Sequence, residues 1–96
     1  MSVLTRAEID QQLQALDGWT FEGNALRKQF TFAGFPEAVG FVQRLVPEAE
    51  QADHHPDITI NYRRVTLSYS THSEGGVTLK DVDGARIADR RARVEP

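Results

Sequence analysis

Two pairs of strand-like runs, each pair joined by a tight turn, restrict how this chain can fold more than any other feature. In the first pair, "WTFE" and "ALRKQFTF" are joined by Gly23-Asn24, and a Gly-Asn step between such runs is typical of a β-hairpin. In the second pair, apolar and polar residues alternate on both sides of a turn expected at Arg63-Arg64. Alternation of this kind is the period of a strand with one buried face. We therefore predict two β-hairpins.

Helical patterns stand before, between and after these hairpins. The first begins with a T-x-x-E capping box formed by Thr5 and Glu8, and we expect Gly18 to end it. The last begins with Thr78 as its cap and has Asp81 three residues further on. Acidic side chains suit the first turn of a helix, where the backbone N–H groups are free.

Two residues interrupt otherwise regular helical patterns. The longest pattern, "GFPEAVGFVQRLVPEAEQAD", has Pro36 in its first turn, where proline is tolerated, but also Pro47 in its interior. Pro47 lacks an N–H and its ring crowds the carbonyl of Gln43, which costs roughly 3 kcal/mol in a regular helix. We therefore predict a kink or a restart between Gln43 and Pro47. In the last helix, Gly84 costs on the order of 1 kcal/mol relative to alanine.

The order of elements is helix, two strands, helix, two strands, helix. Hairpins that alternate with helices are typical of a two-layer α+β domain, in which a four-stranded antiparallel sheet carries its helices on one face. A chain of 96 residues can bury about 60–65% of its unfolded surface, which is enough for one core. No linker or repeat interrupts it, so we predict a single domain over residues 1–96.

Composition argues against several classes of function. The net charge is −3, from 11 Lys and Arg against 14 Asp and Glu, so no broad attraction to nucleic acid is expected. The absence of cysteine removes disulfides, zinc–thiolate sites and thiol nucleophiles. The first residues lack the apolar core of a signal peptide, and no apolar run approaches the ~20 residues of a membrane span. We expect a cytoplasmic protein that binds neither nucleic acid directly nor a membrane.

The residues that could carry chemistry are three histidines and two acids. His54 and His55 stand in "EQADHHPDITINY" at the expected end of the long helix, and His72 follows the fourth strand. In a hairpin, the start of one strand lies beside the end of the other, so position 72 should return beside positions 54–56. Glu50 lies four residues before His54; if the helix extends that far, the two share a face, and the carboxylate can fix the tautomer of the ring or stabilise its cation.

Three interpretations of this cluster are open. Histidine at a helix C-terminus commonly caps free carbonyls, and Asp81 suits a helix first turn without any chemistry. Three histidines with a carboxylate can also bind zinc, but adjacent residues point apart on most backbones and no H-x-H or H-x-x-x-H pair is present. Proton transfer fits better, because the ~6.5 unperturbed pKa of histidine lies closest to neutrality. We therefore expect acid–base chemistry and no metal site.

One spaced pattern contains all of these residues. It consists of Glu50, His54, His55, Pro56, Tyr62, His72 and Asp81. This pattern resembles the signature of the pterin-4a-carbinolamine dehydratase family. The segments "LDGW", "KQFTF" and "THSEGGVTLKD" are similar to that family as well, so the resemblance covers nearly the whole chain.

The resemblance implies a cofactor-free dehydratase that recycles oxidised tetrahydropterin and assembles into homodimers or homotetramers. It implies that His54, His55 and His72 act on the pterin. We expect His54 and His72 to be the acid–base pair and His55 to hold the pterin. Glu50 and Asp81 would then orient imidazoles or pterin N–H groups.

A second function is compatible with the same resemblance. Family members also serve as dimerisation partners of transcription factors, so this chain could be a non-enzymatic adaptor. Such a role would not require all five site residues. Their presence here favours the enzyme.

Overall fold

The computed structural model describes residues 2–93. It confirms the predicted order of elements. The elements are α1 (Arg6–Leu13), β1 (Thr20–Glu22), β2 (Ala25–Thr31), α2 (Phe35–Ala52), β3 (Asp57–Asn61), β4 (Arg64–Tyr69), a short 3₁₀ helix (His72–Glu74) and α3 (Leu79–Arg93).

The strands form one antiparallel sheet in the order β1-β2-β4-β3. The two hairpins therefore lie side by side, and they are joined through the β2–β4 ladder, in which Leu26 pairs with Tyr69 and Phe30 with Val65. This register places the apolar residues of both central strands on the same face. Helices α2 and α3 pack on the sheet, so the predicted two-layer α+β architecture is confirmed.

The core lies between this face and the helices. Leu26, Val65 and Leu67 from the sheet are fully buried, as expected for alternating strands with one covered face. The helices contribute Ala38, Phe41, Leu45, Val82, Ala85 and Ala88. Among residues 2–93, no helix is long and apolar enough to cross a membrane.

The capping box of α1 is confirmed, but the predicted end of this helix is wrong. Thr5 accepts a hydrogen bond from the backbone N–H of Glu8, and the Glu8 side chain accepts one from Thr5. Regular helix stops at Leu13, and the chain tightens into i→i+3 turns before Gly18, where φ is +84°. Gly18 therefore serves the turn into β1 rather than the helix end.

The predicted restart of the long helix does not occur. Helix α2 is a single element from Phe35 to Ala52 with Pro47 inside it. Pro47 is exposed, so the missing hydrogen bond lies toward solvent, where water can satisfy the free carbonyl.

The turn of the second hairpin lies one residue earlier than predicted. Asn61 pairs with Arg64, so Tyr62 and Arg63 form the turn. Tyr62 has a φ of +57°, a left-handed conformation that is uncommon for a bulky residue and so is not predicted from the sequence.

Gly84, which disfavours helix, has a packing role in α3. A Cβ at this position would lie 2.6 Å from Cε1 of Tyr69. The absence of a side chain therefore allows α3 to approach the Tyr69 ring closely. The ring in turn stacks on His54, with ring centroids 6.2 Å apart.

Candidate functional site

The end of α2 positions the two adjacent histidines. Asp53 adopts a left-handed conformation with φ of 50°, and the N–H of His54 bonds to the carbonyl of Ala49 at 3.1 Å. These features are those of a Schellman motif with aspartate in place of the usual glycine. Pro56 follows and prevents the helix from continuing. His54 and His55 thus stand at a sharp change of direction between α2 and β3.

His54 lies inside the fold and is paired with Asp81. Its Nε2 is 2.5 Å from Oδ1 of Asp81, and the exposed fraction of the two side chains is 10% and 0%. The pair joins the end of α2 to the first turn of α3. Asp81 lies in the first turn of α3, where the helix dipole favours an anion.

The second oxygen of Asp81 is also fully engaged. Oδ2 accepts a hydrogen bond from the Thr71 hydroxyl and another from the Thr78 backbone N–H, both at 2.8 Å. The hydroxyls of Thr71 and Thr78 are themselves 2.9 Å apart. Among residues 2–93, no buried side-chain nitrogen or oxygen lacks a partner. Asp81 is therefore a buried carboxylate held by three donors.

His55 points to the other side of the chain and pairs with Glu50. Its Nε2 is 2.6 Å from Oε2 of Glu50, and both side chains are more than half exposed. The spacing predicts that Glu50 shares a face with His54 only if the helix extends to that residue, and it does not. Because α2 ends at Ala52, His54 turns inward and His55 takes the position beside Glu50.

His72 opens the short 3₁₀ helix and is exposed. The residue before it, Thr71, contacts Asp81, so the backbone at position 72 is close to the His54–Asp81 pair. Within residues 2–93, the His72 side chain has no hydrogen-bond partner. Its imidazole is therefore free to contact a ligand.

Two pockets flank the histidine pair. The first, of about 100 Å³, lies between α2 and α3, and His54, Tyr69 and Lys80 are among the residues that line it. The second, of about 230 Å³, lies between α2 and β3, with Glu50 and His55 in its wall. His54 and His55 therefore open onto different spaces.

Tyr69 lies behind His54 and remains protonated over the usual pH range. Burial, with a smaller contribution from the charge of Asp81, raises the pKa of its hydroxyl from 10.0 to about 12. The ring is thus a neutral platform under the imidazole.

The sequence interpretation missed the two threonines and Tyr69. Thr71 had no distinguishing pattern, whereas Thr78 was identified only as a helix cap. Tyr69 belongs to the alternating run of the fourth strand, where nothing in the sequence distinguishes it from a core residue. Among residues 2–93, no three His, Cys, Asp or Glu side chains lie close enough to hold a metal ion.

Comparison with known proteins places this geometry in a family. The family model described as pterin 4 alpha carbinolamine dehydratase matches residues 2–91. A relative from Roseiflexus castenholzii, provisionally named pterin-4-alpha-carbinolamine dehydratase, is 50% identical over 92% of this chain and 95% of its own.

Two solved structures have the same fold. A Brucella melitensis protein described as a transcriptional coactivator/pterin dehydratase superposes with a TM-score of 0.91 at 39% identity, over 95% of this chain and 99% of its own. A pterin dehydratase-like protein described as a RuBisCO assembly factor in the alpha-carboxysome gives 0.68 at 21% identity, over 81% and 93%. The second likeness concerns the fold alone.

Proposed function

The chain belongs to the pterin 4 alpha carbinolamine dehydratase family, and on that premise we propose that it dehydrates a 4a-hydroxytetrahydropterin to quinonoid dihydropterin and water. Loss of water requires a proton for the departing hydroxyl as the C4a–O bond breaks. It also requires removal of a proton from a ring nitrogen, whose electrons form the new C=N bond. Positioned general acids and bases typically accelerate such steps ~10²–10⁴-fold.

The single observation that carries the proposal is the buried His54–Asp81 pair. A carboxylate held by two other donors and lying 2.5 Å from an imidazole nitrogen fixes the orientation of that ring. With Nε2 directed at Asp81, Nδ1 is the nitrogen left for a substrate.

The remaining roles follow from exposure. His72 is exposed and unpaired within the described residues, so we assign it as the second member of the acid–base pair. His55, held by Glu50 on the outer side, is assigned to hold the pterin. No cofactor is part of the proposal, and the cytoplasmic location expected from the sequence belongs to it as well.

The direct test follows the ultraviolet absorbance of freshly generated 4a-hydroxytetrahydropterin after rapid mixing with the protein. His54→Gln is preferable to His54→Ala, because the ring is only 10% exposed and glutamine keeps a donor for Asp81. We expect His54→Gln and His72→Ala to lower kcat by ~10²–10⁴-fold with little change in Tm. Gln29→Ala, on the exposed face of β2, is the matched control. A dehydration rate with the wild-type protein equal to the rate in buffer would refute the proposed enzymatic function.

A second candidate function is that of a dimerisation or adaptor protein. The observation that favours it is the edge strand β3, where Ile58 and Ile60 are 41% and 38% exposed. Exposed apolar residues on an unpaired edge are typical of an association surface. We propose a homodimer or homotetramer for the enzyme too. Light scattering at micromolar concentration tests this, and a monomer would contradict it without affecting the chemistry.

A further inference from the structure

Asp81 imposes a direction on every hydrogen bond around it. An ionised carboxylate can only accept, so the Thr71 hydroxyl must donate its hydrogen to Oδ2. Thr71 Oγ1 is then the acceptor in its contact with Thr78, and Thr78 must donate. Thr78 Oγ1 in turn accepts from the backbone N–H of Lys80 at 3.2 Å. The result is a one-way chain of donors from the first turn of α3 to the carboxylate.

Such a chain is stronger than its separate bonds. Hydrogen bonds in series polarise one another, and a low-dielectric interior strengthens each of them. Thr71 and Thr78 are 5% and 0% exposed, so water is not available to replace either hydroxyl. The carboxylate is therefore held with Oδ2 toward the threonines and Oδ1 toward His54.

Thr71 also fixes the segment that carries His72. Its N–H bonds to the carbonyl of Gly76 at 2.9 Å, and its own carbonyl accepts from Glu74 and Gly75, both at 3.0 Å. The side chain of Thr71 thus reaches the partner of one histidine while its backbone anchors the turn of the other. Thr71 therefore contacts both parts of the site.

We propose that Thr71 is a positioning residue, whose hydroxyl holds Asp81 so that His54 carries its proton on Nε2 and presents Nδ1 to the substrate. The inference rests on the proposed function only for its effect on turnover. The tautomer of His54 is a property of the protein alone.

The test compares Thr71→Val, which keeps the shape but removes the hydroxyl, with Thr71→Ser, which retains it. Thr66→Val is the matched control, because Thr66 lies on β4, the strand that precedes Thr71, and faces away from the core. Nitrogen-15 chemical shifts of the imidazoles at alkaline pH report the tautomer of each ring. With three histidines in the chain, His54 can be assigned from the His54→Gln variant.

We expect His54 to be the Nε2–H tautomer in the wild type, in Thr71→Ser and in Thr66→Val. In Thr71→Val the two ring nitrogens should move toward averaged shifts. The same variant should lose roughly 10- to 100-fold in kcat, the effect of one hydrogen bond to a charged group, with KM little changed. Thr71→Ser should restore kcat.

Two results would overturn the proposal. One is an unchanged tautomer and kcat in folded Thr71→Val. The other is an Nδ1–H or averaged ring in the wild type, which needs no variant and so decides the matter even if Thr71→Val does not fold. If the wild type has no dehydratase activity, the proposed function fails, yet the tautomer measurement still tests the role of Thr71.

Discussion

Replacement of Gly84 by alanine is the sharpest test of the packing behind His54. Helix propensity alone predicts that Gly84→Ala stabilises α3 by about 1 kcal/mol. The structure predicts the opposite sign, because the new Cβ would lie 2.6, 2.9 and 3.0 Å from three atoms of the Tyr69 ring. Inserting a methyl group into a packed interior costs typically 1–3 kcal/mol. We therefore expect a net loss of about 1 kcal/mol in the free energy of unfolding.

Gly40 provides the matched control. It also lies inside a helix, α2, but a Cβ there would meet only Arg44 Nη1, at an ordinary 3.6 Å. Gly40→Ala should therefore gain up to about 1 kcal/mol. The two variants should differ by about 2 kcal/mol, or roughly 8–16 °C in Tm for a domain of this size.

Denaturant titration followed by the fluorescence of Trp19 would measure this difference, since Trp19 is the only tryptophan and is buried. In a Tyr69→Leu background the ring is absent, so Gly84→Ala should no longer be destabilising. Gly84→Ala should also lower kcat, because the displaced ring stacks on His54. Equal stabilisation by Gly84→Ala and Gly40→Ala would refute this account of the glycine.

Other expectations concern single side chains. In a Tyr62→Phe background, absorbance at 295 nm should show Tyr69 ionising near pH 12. Because folding raises this pKa, the contribution of the neutral Tyr69 hydroxyl to the free energy of unfolding is complete below about pH 10 and is lost as the pH rises toward 12. A midpoint near pH 10 in the folded protein would contradict the burial of Tyr69. Asp89→Ala should lower the free energy of unfolding by about 1–3 kcal/mol, since Asp89 pairs with Lys28; an unchanged denaturation midpoint would show the pair to be dispensable. Glu50→Gln should leave stability nearly unchanged, since the pair with His55 is exposed, but should raise KM more than it changes kcat, because His55 is the residue assigned to hold the pterin; an unchanged KM would contradict that assignment. EDTA should not change turnover, and loss of activity with restoration by zinc would favour a metal mechanism.

Sequence patterns predicted most of the fold because local chemistry determines it. The capping box at Thr5 and the turn at Gly23-Asn24 are short-range signals, and both lie where expected. The second turn was misplaced because Tyr62 is held left-handed by the pairing on either side of it, not by its own preference. The helix does not restart at Pro47, because this residue is exposed, and its exposure cannot be read from the sequence.

The site was only partly predictable, for a related reason. The spacing of the histidines identified the correct region, but the partner of each ring depends on where α2 ends. A helix extended to residue 54 would have placed Glu50 beside His54, whereas the left-handed Asp53 turned that ring toward Asp81. Thr71 could not be found, because its role depends on contacts made only after α3 has docked.

The proposed chemical residues and the hydrogen-bond partners that hold them all fall between positions 50 and 81, one third of the chain. That interval consists of the β3–β4 hairpin with a helix end on either side. The length of the hairpin sets the distance between the two helix termini. Residues before position 50 supply mainly the strands and helices against which the hairpin packs. Substitutions before position 50 can therefore change the free energy of unfolding with little effect on catalysis. An insertion or deletion within the hairpin would instead change the spacing of the active groups themselves.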